Sequence, residues 1–426
     1  MTAFVMAISC RAQVIVSTYA GNGNAGSVNG NVDSATFNQP FGMCRDTAGN
    51  LYIIESGNND IRKITPDGVV STLAGNFSSP SDACVDDSGN VYLSDFAEQF
   101  IKKITPQGVM SFIAGSGYVG YTDTTGFFAQ FDYPRGIVRD KNGNLYVADS
   151  WNHRIRKITP AGKVTTFAGG GSSMGVQSVG DFKDGQDTSA RFYTPSGLAI
   201  DDSGNIYVAD AYNHRIRKIT PGGYVSTIGG NGATGPGNGG FADGSKDSAR
   251  FNTPTELCVD AQGNVYVSDT FGERIRKIAP DGTVSTIAGN GSAGFMDSTG
   301  FYAEFNYPRG IVFDGKNTFY VNDYNNNSIR KIVTGGSSAV REPMAVSPAI
   351  NIYPDPGNGD YSFSCAACVQ KDATFEVVDA LGQVVYKAVG GSATVSFTLP
   401  SSLAPGMYTL IVHGSDWRSA REFILR

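Results

Sequence analysis

The chain has 426 residues, 40% of them hydrophobic, enough for more than one packed core, and it holds no run of about 18 consecutive apolar residues that would span a membrane. Its 33 basic and 39 acidic side chains leave a net charge of -6, so no global field draws it to nucleic acid or to an anionic membrane. The 54 glycines recur at fixed offsets beside alternating apolar residues, which marks turns between strands and excludes a disordered chain.

Residues 1–12 form a short apolar run ending in Ala12 and read as a clipped signal peptide. Val16 to Gly21, VSTYAG, follows as a single strand with no partner nearby in sequence. From Pro40 onward one unit repeats. Its clearest copy, GNLYVADSWNHRIRKITPAGKVTTFAGGG from Gly143, returns from Gly204 and from Gly263, with looser copies from Gly49 and Gly89 and a worn one from Asn317. Six in-phase copies predict an array of one supersecondary unit.

In the third copy, residues 134–140 form a first apolar run and 145–149 a second strand rich in β-branched and aromatic residues. Residues 154–159 run back as a third strand and 163–168 as a fourth, each joined by a tight turn. Four such strands make an antiparallel meander, and packing six meanders about an axis buries their faces. Ile155 and Ile158 are three apart, so strict alternation would set them on opposite faces unless a bulge intervenes. The sixth copy ends at Val333 without its fourth strand. The isolated strand at Val16 supplies it, which predicts a closed six-bladed β-propeller over residues 13–336.

The motif stands as YVADSWNHRIRKI and YVADAYNHRIRKI, with NDIRKI, EQFIKKI, GERIRKI and NNSIRKI as departures. It resembles the NHL repeat, named for an Asn-His-Leu triplet. The resemblance implies an all-β, six-bladed propeller but no single activity, since relatives include adhesive and signalling ectodomains, RNA-binding domains and a few lyases.

The second-to-third strand turns and the links between blades emerge on one face. Five links share Ala, then Phe, then Pro, as in Ala129, Phe131 and Pro134, and the repeated Phe is read as pinning the loop to the body. The same face is expected to present Trp151 and His153, Tyr212 and His214, and Phe271, residues able to grip a sugar ring or a peptide. Where most first strands carry Gly42, Gly136, Gly197 or Gly310, the second and fifth carry Asp82 and Glu256, on opposite blades. Arg135 and Arg309, one position earlier, are also opposite. Together they suggest a charged vestibule at the channel mouth for a small polar ligand or a cation.

Other signals read as structural. Cys44, Cys84 and Cys258 share one repeat position and suit small buried side chains. The Asp of YVAD recurs in five copies, with Glu55 in the first, as a turn anchor, and the RIRK runs read as a solvated basic band. Three histidines, two of them repeat consensus, cannot assemble the zinc set of amidating lyases. No catalytic residue, cofactor or metal is assigned, and no nucleic acid is expected as a partner.

Residues 337–348 read as a linker and 349–426 as a small β-sandwich. Its YPDPGNG opening, its VxDxLGxxV strand and its LxxGxYxLxV strand resemble the C-terminal sorting domain of the type IX secretion system. That resemblance implies recognition by outer-membrane secretion machinery, export from a Gram-negative cell, removal of the tail, and release or surface attachment. Cys365 and Cys368 would form a local disulfide or stay idle. The expectation is a secreted or cell-surface monomer that binds a protein or glycan. The alternative is an extracellular enzyme, a lyase or lactonase-like hydrolase, working at Asp82 and Glu256.

Overall fold

Six antiparallel sheets stand around one axis in the computed structural model, each with the strand order expected of a meander. The structure describes residues 14–170 and 180–335 and, beyond them, seven strands between Ile350 and Leu425. The readings of residues 1–12 as a signal peptide and 337–348 as a linker lie outside the described residues, as do the thiols of Cys365 and Cys368. The chain divides into two compact units, Met1–Ser337 and Ser338–Arg426.

In blade 3 the strands are Pro134–Arg139, Leu145–Asp149, Arg154–Ile158 and Val164–Ala168, running from the axis outward. The first turn forms because the Asp140 carboxylate accepts the N–H of Asn142 and Asn144, while Gly143 takes the left-handed φ of +82° that the turn requires. Between the third and fourth strands the register slips at Ile155/Arg156. The extra residue lies in the fourth strand, so the third strand keeps strict alternation. Ile155 and Ile158 point to opposite faces, and both are fully buried because one packs toward blade 4 and the other toward blade 2.

The core lies between blades. Tyr146, Ala148 and Ile155 of blade 3 pack against Phe192, Leu198 and Val208 of blade 4, and the other interfaces repeat this. The link phenylalanines Phe37, Phe131, Phe192, Phe251 and Phe305 are wholly buried in these interfaces. Each contributes about 1.5–3 kcal/mol of transfer free energy, so the links are fastened to the body.

The ring closes as the sequence requires. Ile15–Ala20 pairs antiparallel with Ser328–Val333, pairing Ile15 with Val333. One feature was not legible: Gly30–Asn31, Gly185–Gln186, Gly244–Ser245 and Ser298–Thr299 each add a two-residue fifth strand to the outer edge of a blade. These caps leave fewer unpaired edges exposed to other chains.

The second unit has a three-stranded sheet built from Ile350–Pro354, Asp360–Cys365 and Thr394–Thr398. Its four-stranded sheet comprises Val384–Val389, Thr374–Val378, Gly406–His413 and Arg418–Leu425. No helix of the described residues is long and apolar enough to cross a membrane.

Candidate functional site

The conspicuous charges of the repeat are consumed inside the blades. Asp149 accepts Arg156 Nη1 at 2.6 Å, the Asn152 amide at 2.9 Å and the Asp132 N–H at 2.7 Å, with both charged side chains fully buried. Arg156 also donates to the carbonyls of Gln130 and Thr122 and to Asp123 on the link. The same pair recurs as Asp210–Arg217, Asp269–Arg276 and Asp323–Arg330, and as Glu55–Arg62 and Asp95–Lys102 in the first two blades. The expectation of a solvated basic band is therefore corrected. Each middle arginine lies inward because carboxylates and link carbonyls take up its terminal Nη donors, while Lys157, Lys218 and Lys277 lie over Tyr146, Tyr207 and Tyr266.

The two histidines also leave the binding face. His153 and His214 take left-handed conformations at φ +55° and +53°, which direct each ring at the next blade. There Nδ1 accepts the N–H of Thr194 at 3.1 Å and of Thr253 at 3.0 Å. Both are buried, so neither is presented to a ligand as the sequence suggested. Since His214 Nδ1 accepts, Nε2 carries the proton and donates to the Gly235 carbonyl at 2.8 Å. Burial holds the pKa of His214 below the usual value. Gln99, Glu273 and Asn327 form the same latch to Tyr133, Tyr307 and Gln39. Burial pushes Glu273 up to about 7.

The aromatic side chains remain. Trp151 and Phe271 are 43% and 47% exposed, and Tyr212 is half-buried. Each pairs with a tyrosine on the link just before a first strand, in its own blade or the next: Trp151 with Tyr133 at 4.2 Å, Tyr212 with Tyr193 at 5.3 Å, and Phe271 with Tyr307 of the next blade at 4.9 Å between ring centroids. Phe96 with Tyr133, and Phe41 with Tyr324, complete a circle of half-exposed rings on the loop face.

Inside that circle the four unrepeated charges stack in two levels. Arg135 and Arg309, second in their strands, stand towards the loops; Arg135 lies over Phe96, and Arg309 over Phe41 and Tyr324. Asp82 and Glu256 are third in theirs, so they lie one level deeper, both buried. Asp82 Oδ2 accepts the Ile137 N–H of blade 3 at 3.1 Å. Neighbouring glycines make room for the carboxyls: a Cβ on Gly42 would fall 2.6 Å from Asp82 Oδ1, and one on Gly197 would strike Glu256. Burial pushes Asp82 up to about 7, and burial with the Asp82 charge holds Glu256 well above the carboxylate range. This acid pair forms a waist at the axis, deeper than the mouth where a charged vestibule was expected.

Below the waist, a cavity of about 520 Å³ extends from Asp82 and Glu256 past Cys44, Cys84 and Cys258 to the turns at Asp260 and Lys316. It therefore runs away from the loop face. The three cysteines are free thiols that contact the interblade cores and also line this cavity. Among the described residues, no group of three or more His, Cys, Asp or Glu could hold a metal ion.

Residues 131–158 and 192–219 match the NHL repeat, and residues 351–426 match the secretion system C-terminal sorting domain. The chain thus carries NHL repeats on a six-bladed propeller, followed by a sorting tail that marks it for type IX export to the cell surface or for secretion. Over 101 residues it is 41% identical to NHL repeat-containing protein 2 of Homo sapiens, covering 23% of this chain and 13% of the relative. It is 38% identical over 101 residues to the chloroplastic protein Suppressor of Quenching 1 of Arabidopsis thaliana, covering 24% of this chain and 9% of the relative. The chain spans about a tenth of the length of these curated relatives. Two solved structures share the fold. A protein of unknown function from Bacteroides thetaiotaomicron has a TM-score of 0.60 at 23% identity over 76% of each chain. An auxiliary nutrient binding protein from Bacteroides ovatus has 0.59 at 18% identity, over 76% of this chain and 78% of the other.

Proposed function

We propose that this exported propeller is a binding module that takes a glycan or protein partner on its loop-rich face. The observation that carries this reading is the circle of half-exposed aromatic rings, in which Trp151 and Phe271 remain open although their equivalents could have been polar. Aromatic rings with one face wet and one packed offer large contact area at low entropic cost. The links beneath them are pinned by buried phenylalanines, so the platform is rigid before a partner arrives. The test is a glycan and protein array with the full chain. Binding that is lost on Trp151→Ala and Phe271→Ala supports the reading; binding indifferent to both rejects it.

A second reading, a hydrolase or lyase, has one specific observation in its favour. Asp82, pushed up to about 7, and its neighbour Glu256 border a cavity of small-ligand size, which is where general acids and bases are found. Asp82→Ala and Glu256→Ala would abolish such an activity. Unchanged turnover in both variants would discard the enzyme.

A further inference from the structure

We propose that Arg135 and Arg309 form an anion clamp at the centre of the loop face, built for an acidic sugar carrying a carboxylate or a sulfate. The inference rests on the loop-face reading and narrows its ligand.

The cations inside the blades set the standard of comparison. Arg156, Arg217, Arg276 and Arg330 each have two carboxylate partners, one fully buried, as well as link carbonyls. The guanidiniums of Arg135 and Arg309 have neither a hydrogen bond nor an ion pair among the described residues; a buried Nε without a partner is shared with Arg156, Arg276 and Arg330, so the difference lies in the terminal nitrogens. Aromatic rings cover their flat faces: Arg135 sits 5.1 Å from the Phe96 centroid, and Arg309 sits 4.2 Å from Phe41 and 4.7 Å from Tyr324. Stacking of this kind holds a guanidinium in place and leaves its in-plane N–H donors unused.

Among the described residues no carboxylate forms an ion pair with either arginine, although the Glu256 charge acts on Arg309. Burial and the Arg135 charge pull Arg309 down to about 10, so the two cations act on each other across the axis. Glu256 and Asp82 lie one level deeper, and burial favours their protonated forms. At the arginines' own level stands Ser81, whose hydroxyl is likewise buried without a partner. Two guanidiniums and a hydroxyl, all with spare donors, share one level of the ring. Carboxylate and sulfate are the groups whose oxygens match a guanidinium's paired donors.

A sugar fits the surroundings better than a peptide. Peptides that bind propellers or sheets by extending them need a free strand edge. Here the first strands crowd one another at the axis through Gly42, Gly136 and Gly197, and the loop face offers rings instead. Sugar rings present apolar faces to such aromatics while an acidic substituent reaches the arginines.

The full chain is titrated with trigalacturonate, a sulfated galactan oligomer, neutral maltotriose and pentaglutamate. The expectation is that an acidic sugar binds at least about tenfold more tightly than maltotriose and that Arg135→Gln/Arg309→Gln abolishes this preference. Whether trigalacturonate or the sulfated oligomer binds identifies the anion. The wild-type comparison needs no variant to fold, and Arg135→Lys/Arg309→Lys should retain part of the preference. Equal binding of acidic and neutral sugars that still falls on Trp151→Ala overturns the clamp and leaves the binding face standing. Tighter binding of pentaglutamate overturns the choice of a sugar. No sugar binding at all overturns the clamp together with a glycan role for the face.

Discussion

Two sets of buried charge differ in one respect. The Asp–Arg pairs inside the blades are repeated around the ring and ion-paired through their terminal nitrogens: Arg217 has Asp210 at 2.6 Å, Asp184 at 2.6 Å and two carbonyls. The axial set of Asp82, Glu256, Arg135 and Arg309 breaks the repeat, and it is underpartnered. Removing charge from water is offset only by good partners. The repeated set meets that condition within the fold; the axial arginines meet it only when something from outside supplies an anion. The lesson is that in a repeat protein the loudest charges hold the blades and the irregular ones point outward to function.

The largest expected effect lies in the repeated set. Asp210→Ala leaves Arg217 short of its buried partner and frees the N–H of Tyr193, so denaturant unfolding should show a loss of about 3–5 kcal/mol. A loss below 1 kcal/mol would erase the distinction between the two sets.

The waist acids predict the opposite sign. Asp82 keeps its proton in the fold up to about pH 7 but gives it up near pH 4 when unfolded. The fold therefore binds the extra proton between those values, and stability falls as pH rises through that window. Asp82→Asn should remove this slope, gaining roughly 4 kcal/mol at pH 8 relative to pH 4. An unchanged pH profile would show that Asp82 is ionised and paired.

The latches lie between the two sets: their geometry repeats while their chemistry varies. An unfolded histidine protonates near pH 6.5, whereas burial holds folded His214 lower, so the unfolded chain binds protons first and stability falls as pH drops below that value. His214→Gln imitates Gln99 and should flatten this acid limb, by about 0.5–1 kcal/mol at pH 5. The smallest effect on stability is expected from Trp151→Ala, within about 0.5 kcal/mol, because the ring is nearly half exposed.

The scaffold was legible because it rests on repetition. The glycine turns, the alternation, the link phenylalanines and the strand missing at Val333 can all be counted in the sequence. The latch was hidden because its position is set by a backbone conformation that Gln99, His153, Glu273 and Asn327 all adopt, with no residue type in common. The inward course of Arg156 was hidden because partners 7 and 33 residues away, Asp149 and Asp123, make its burial tolerable. Two-residue fifth strands are too short to leave a periodic signal. Asp82, Glu256, Arg135 and Arg309 were visible as breaks in the repeat, but their depth and the unpaired state of the arginines depend on what surrounds them in space.

The repeated charges stabilise and the axial ones bind, and a paired measurement separates the two. Unfolding midpoint and affinity for an acidic oligosaccharide are recorded for wild type, Arg330→Lys and Arg135→Gln/Arg309→Gln. Arg330→Lys should lower the midpoint and keep the affinity, while the axial variant should keep the midpoint and lose affinity by about tenfold or more. An axial variant that binds as wild type, or an Arg330 variant that loses affinity at full stability, would contradict it.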